Sequence, residues 1–125
     1  MANPNIVNVT SILGTTTYLT PANTTANVLL SNAASSGLVF KINQIVCANV
    51  NGSSAVNATV AITTAAAGAG TNFPVISTVS VPASASVIAV DKTTAIYLME
   101  NSSIVVTSGT SSGITYSLSY ESIAS

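Results

Sequence analysis

The octapeptide Ile114-Thr115-Tyr116-Ser117-Leu118-Ser119-Tyr120-Glu121 carries the clearest structural signal in the chain. Large apolar groups stand at 114, 116, 118 and 120, and polar groups at 115, 117, 119 and 121. Successive side chains of an extended strand point to opposite faces, so a period of two gathers each set on one side. A helix would scatter both sets around its axis. The segment therefore reads as a strand with one face on a core.

The same style extends toward the N-terminus. Short runs rich in Val, Ile and Thr, separated by turn residues, mark further strands. They are Asn5–Ile12, Thr16–Leu19, Asn27–Ser31, Leu38–Asn49, Val56–Thr63, Val75–Val81, Ser86–Val90, Ala95–Met99 and Ile104–Ser108. Asn51-Gly52 reads as a tight-turn dipeptide. Ser35-Ser36-Gly37, Asp91-Lys92-Thr93 and Ser111-Ser112-Gly113 read as turns. Ala65–Gly70 (AAAGAG) reads as a small-residue loop, because two glycines within six residues oppose a helix. No segment carries a helical period. These ten candidate runs, spaced by roughly ten residues, give an all-β fold of about eight or nine short strands. We expect a single-domain antiparallel β-sandwich over residues 1–125, jelly-roll or immunoglobulin-like, with strand order left open. Pro4 keeps the first residues from a helix, so 1–5 is expected to form an N-terminal arm.

Composition narrows the chemistry. Of 125 residues only 4 % are charged, against about 25 % in an ordinary soluble domain. The charged residues are Lys41, Asp91, Lys92, Glu100 and Glu121, and there is no His, Arg or Trp. Hydrophobic residues reach 48 % and mean hydropathy is +0.62, yet no apolar run approaches the roughly 18 residues of a spanning helix. Ser, Thr and Asn number 19, 17 and 12, and they break every apolar stretch. Aromatic girdles of a membrane barrel are missing, with aromatics at 5 %. The first charge is Lys41, so the start lacks the basic region of a secretory signal, and synthesis in the cytoplasm is expected. On that expectation the five Asn-x-Ser/Thr sequons, at Asn8, Asn23, Asn51, Asn57 and Asn101, are by-products of composition.

No catalytic, cofactor-binding or metal site is expected. A nucleophilic triad needs a base, and neither lysine completes a Ser-x-x-Lys pattern, because Leu38 and Ala89 occupy the serine positions. Asp91, Glu100 and Glu121 read as solvated surface carboxylates, with Asp91 and Glu100 in reach of Lys92 or Lys41 as ion pairs. Zinc has no ligand set, and calcium wants more carboxylates than these. Two lysines offset by three acids cannot neutralise phosphates, which excludes nucleic acid. Cys47, the single cysteine, sits in an apolar run and reads as a buried, inert thiol. Tyr116 and Tyr120 share the face of Ile114 and Leu118 and read as core or interface; with Tyr18 and Tyr97 they form the alternative of a glycan-binding face.

One property is unusual for a free domain. A net charge of −1 gives little colloidal repulsion, where a charge of magnitude ~2 to 8 is typical for a small domain. Edge strands are normally guarded by charges, proline or bulges. Two lysines and four prolines are few guards. A chain so poor in charge is suited to permanent burial among other subunits, where no charge must be desolvated.

Two segments carry a resemblance: Asn32–Asn51, NAASSGLVFKINQIVCANVN, and Val81–Ser122, VPASASVIAVDKTTAIYLMENSSIVVTSGTSSGITYSLSYES. In the first a strand ends in Ser-Ser-Gly, and Val-Phe-Lys-Ile leads into Ala-Asn-Val-Asn. In the second Val-Pro-Ala opens a strand, Asp-Lys turns it, and Ile-Tyr-Leu-x-Glu-Asn and Ser-Tyr-Glu follow. Together they cover about half the chain and resemble small virion structural proteins of tailed bacteriophages, especially those of marine cyanobacteria. The resemblance implies a non-enzymatic particle component without active-site residues. It points first to a capsid decoration, or cement, protein that binds the major capsid protein at the capsid surface and stabilises the shell, often as a homotrimer. The alternatives are a neck, tail or fibre component, and an adhesin or carbohydrate-binding module. No nucleic acid, membrane or cofactor is implied.

Overall fold

The computed structural model describes residues 7–94 and 96–124. The arm expected over residues 1–5 lies outside them. Among these residues nine strands form: β1 (Ser11–Leu19), β2 (Asn27–Asn32), β3 (Leu38–Asn49), β4 (Val56–Thr63), β5 (Asn72–Val81), β6 (Ser86–Val90), β7 (Ile96–Leu98), β8 (Ser102–Ser108) and β9 (Ile114–Ala124). A single 3₁₀ turn, Lys92–Thr94, separates β6 from β7 among the described residues.

The strands pair as one long hairpin would. β1 pairs with β9, β2 with β8, β3 with both β6 and β7, and β4 with β5, all antiparallel. Its tip is the β4–β5 connection. Two more antiparallel pairings, β9 with β3 and β8 with β4, roll this hairpin into two sheets. One sheet has five strands, in the order β1-β9-β3-β6 with β7 beside β6 on the same edge of β3. The other has four, in the order β2-β8-β4-β5. This is the jelly-roll arrangement, and it decides between the two sandwich types the sequence leaves open.

Alternation fills the space between the sheets. Phe40, Ile42, Ile45 and Cys47 of β3 and Ile114, Tyr116 and Leu118 of β9 meet Val56, Ala58 and Val60 of β4 and Ile104 and Val106 of β8 in one core. The octapeptide that opened the reading behaves as its period requires: 114, 116 and 118 are buried, and Tyr120 packs half-buried against Phe40, ring centroids 5.0 Å apart. The Tyr116 hydroxyl crosses to the opposite sheet, donating to Thr107 O and accepting from Thr59 N. A buried phenol is tolerated because both bonds replace lost water.

Two local expectations change. Residues 5 and 6 of the expected strand Asn5–Ile12 lie outside the described residues; its last two residues and Thr16–Leu19 belong to a single strand, Ser11–Leu19, whose nine register pairs with β9 run straight through Gly14. Glycine permits a break but does not force one, and here nothing lies within 4 Å of where its side chain would be. The strand expected from Val75 begins at Asn72 and includes Pro74, which fits because β5 is an edge strand. Asn51-Gly52, read as a tight-turn dipeptide, lies within the connection that crosses from β3 in one sheet to β4 in the other. Asn51 Oδ1 gathers the amides of Ser53 and Ser54 in this crossing loop.

Candidate functional site

The chemistry-bearing residues are spread over the molecule. Asp91 directly follows β6 and accepts bonds from the hydroxyl and amide of Thr93 and from Thr94. Those bonds, the Thr93 hydroxyl's first, hold its carboxyl below the ordinary carboxylate range. Glu100 lies in the turn between β7 and β8, and both its carboxylate oxygens are buried, where the sequence reads a solvated surface carboxylate. Glu121 stands on β9 directly across from Lys41 on β3, so the register brings that lysine to Glu121. Asn43, at a bulge in β3, donates to Glu121 Oε1 at 3.1 Å. Among the described residues no group of three His, Cys, Asp or Glu is placed to hold a metal ion, and no ligand-sized cavity opens. No described helix is long and apolar enough to cross a membrane. Cys47 is fully buried, and burial pushes its thiol up to about 12. It faces Tyr116 across β3 and β9, and burial raises that phenol as well.

What remains is surface, and the two outer faces differ. On the four-stranded sheet, residues between the core positions of β4 and β8 point away from the core: Ala61 with Val105, and Thr63 with Ser103. All four are buried. The connection between β4 and β5 lies over them. Ser103 Oγ donates to Ala65 O at 2.7 Å, and Ser31 Oγ to Ala66 O at 2.6 Å. Gly68 adopts φ +82°, and a Cβ built there would stand 3.0 Å from Val28 and 3.3 Å from Val105. The run of alanine and glycine is thus a thin cover, and only residues of that size lie so close to the sheet.

On the five-stranded sheet the outward residues form rows. Tyr18, Ser117, Val46 and Ile88 make one row, and Gly14, Glu121, Lys41 and Tyr97 another. Hydroxyls bridge neighbours: Thr16 to Ser119 at 3.1 Å, and Thr20 to Thr115 at 2.8 Å. At one end Val39 and Ile123 are buried beside Ile12. Other large apolar groups of the face, Ile12 included, stay in solvent: Tyr18 is 75 % exposed, Ile88 56 %, Ile12 52 % and Tyr97 46 %. The charges in these rows are one lysine and one glutamate, side by side. A broad surface with exposed aromatics and almost no charge has the composition of an interface core. Of the four tyrosines, Tyr116 belongs to the core, Tyr120 packs against it, and Tyr18 and Tyr97 belong to this face.

Two asparagines do structural work that their turn-rich neighbourhoods conceal. Asn32 and Asn49 are buried at the ends of β2 and β3. Asn32 Nδ2 donates to Leu38 O and Leu98 O, and Asn49 Nδ2 to Ser54 O and Val81 O. They fix the loops at the ends of the sandwich, and those loops position the strands of the outer face. Comparison with protein-family models, with curated proteins and with solved structures gives no match for the chain.

Proposed function

We propose that the chain is a non-enzymatic structural protein of a tailed-phage virion, a capsid decoration protein that binds the major capsid protein and stabilises the shell. The single observation that carries this reading is the outer face of the five-stranded sheet. It is rich in hydroxyls, studded with Tyr18, Ile88 and Tyr97, and almost free of charge. Such a face joins a protein neighbour without desolvating charges. The strand order supports the reading by analogy of fold, since jelly rolls are frequent in capsid proteins; they also occur in lectins and cupins, so fold alone does not choose. The resemblance of Asn32–Asn51 and Val81–Ser122 to phage virion proteins favours the virion among these. A protein that binds only the assembled shell stabilises it by mass action.

The test is abundance in particles. Quantitative mass spectrometry of purified virions encoding this chain should find it in numbers comparable to the major capsid protein. Heating or osmotic shock should release DNA sooner from particles lacking it. A handful of copies per particle would move the protein to the neck, tail or fibre. Absence from particles would end the virion reading and leave a glycan array as the next measurement.

A further inference from the structure

The four sheet edges are not equivalent. β5 carries Pro74, two register shifts against β4 and a positive φ at Thr78. β2 is six residues long and is interrupted by a register shift between Val28 and Leu30. The fourth edge is made of two short pieces, β6 and β7, of five and three residues, with a 3₁₀ turn between them. Each is a recognised way of refusing an additional strand. β1 has none of them. It runs nine residues in unbroken register with β9, with no proline, charged residue or bulge, and Ile12, Leu13 and Tyr18 are all more than half exposed.

We infer that β1 is the pairing edge for β1 of a second copy of this chain, antiparallel about a two-fold axis at Thr15. The sequence of the strand selects both occupant and register. Two-fold pairing centred on Thr15 sets residue 11 against 19, 12 against 18, 13 against 17 and 14 against 16. Ile12 and Tyr18 point to the same outer face. That register places the exposed Ile12 of each copy directly across from the exposed Tyr18 of the other, an aromatic against a β-branched residue, one of the favourable cross-strand pairs. Gly14 meets Thr16, so nothing bulky faces anything bulky near the axis. No charge lies on the strand, so joining it to its own copy opposes no like charges.

The contact is isologous and closes at two copies. A three-fold ring would need β1 to meet a different edge, and the other three are blocked. The result is one continuous sheet of ten strands, with the two outer faces merged into a single surface. A nine-residue edge is about 30 Å long, which places the interface at the small end of the range, below about 1,200 Å², and the free dimer in the micromolar class.

Sedimentation of the full chain from micromolar to millimolar concentration should show a reversible monomer–dimer equilibrium. Ile12→Lys combined with Tyr18→Lys places lysine against lysine across the pair and should weaken dimerisation at least tenfold. Ile12→Lys combined with Tyr18→Glu places opposite charges there and should recover most of the loss. All these side chains are exposed, so each variant should melt like the parent when dilute. Under mild oxidation Thr15→Cys should cross-link to itself, whereas Leu13→Cys, which faces Thr17, should not. A monomer at millimolar concentration, a trimer, equal behaviour of the two double variants, or self-cross-linking at 13 instead of 15 would each overturn the assignment. These outcomes are read in solution and do not depend on whether the chain is found in virions.

Discussion

Val105 and Ser103 on one sheet, and Tyr18 and Ile88 on the other, all point away from the core. The first pair is buried because the 64–71 connection lies over it, held by Ser31 and Ser103 hydroxyls. The second pair stands in solvent. Their β-rich, uncharged surroundings are alike, so hydrophobicity does not explain the difference. What differs is that one sheet is covered by its own 64–71 connection, and the other keeps a face and an unguarded edge, β1, that no other described residue closes. In a protein this poor in charge, an open face of that kind is the natural place for a neighbour.

The largest effect that bears on this contrast is one substitution made at two glycines. Gly68→Val puts a β-branched residue at φ +82°, with its Cβ 3.0 Å from Val28 and 3.3 Å from Val105. The strained backbone and the clash add, and a loss of about 2–4 kcal/mol is expected, read as the urea midpoint with the slope unchanged. The loop should lift, and protease should cut within 64–71. Gly14→Val has open space around its Cβ and lies in an extended strand, so a gain of about 0.5–1 kcal/mol is expected instead. Equal effects at the two sites would mean that the loop is not a cover at all.

Next comes pH, which acts on the interior that both sheets share. Cys47 and Tyr116 face each other there, and burial raises the pKa of both. A group whose folded pKa is raised gives its full stabilisation below its unfolded value and loses it as pH climbs toward the folded one. The ordinary values are 9.0 for the thiol and 10.0 for the phenol, and the folded thiol lies at about 12. Thermal melts should therefore be level from about pH 5 to 8 and fall steeply above pH 9. Cys47→Ala should delay the onset toward the range of the phenol. On the acid side Asp91 has the opposite sign: its lowered pKa stabilises above the ordinary value and is lost as pH falls through the folded one. It is fully exposed, so the acid limb should be shallow. A protein that unfolds in mild acid while resisting alkali would contradict this assignment of the interior.

Much of the architecture was readable because it is local. β3, β4 and β6 begin and end where alternation and turn residues place them, at 38–49, 56–63 and 86–90. The errors fall where the deciding contact is distant. Whether Gly14 interrupts a strand depends on β9, more than a hundred residues away. Asn51-Gly52 has hairpin chemistry, but the sheets assign its two flanking strands to different layers. Asn32 and Asn49 look like their solvated neighbours, and only partners 66 and 32 residues away, Leu98 O and Val81 O, make them buried clamps. The outer face was partly visible in the polar half of the β9 octapeptide. Its breadth was not, because the rows through Tyr18, Ile88 and Tyr97 exist only after the hairpin has rolled.

The smallest effect separates the faces through their hydroxyls. Ser103 is buried, and its hydroxyl donates to Ala65 O beneath the loop. Ser119 sits in the open rows, and its hydroxyl shares a 3.1 Å bond with Thr16. Both changes to alanine delete one oxygen and one hydrogen bond, so their difference measures the environment. In the covered site no water replaces the lost donor, and the Ala65 carbonyl loses a partner, which costs about 1–2 kcal/mol. In the open site water takes over at once, and the change should stay within about 0.5 kcal/mol. Hydrogen exchange should show the same asymmetry, with amides of 64–71 gaining exchange in Ser103→Ala and those of β1 unaltered in Ser119→Ala. If Ser119→Ala proved the costlier of the two in dilute protein, the face carrying it would already be closed within the monomer. The case for a neighbour there would then fail on energetics before any particle was purified.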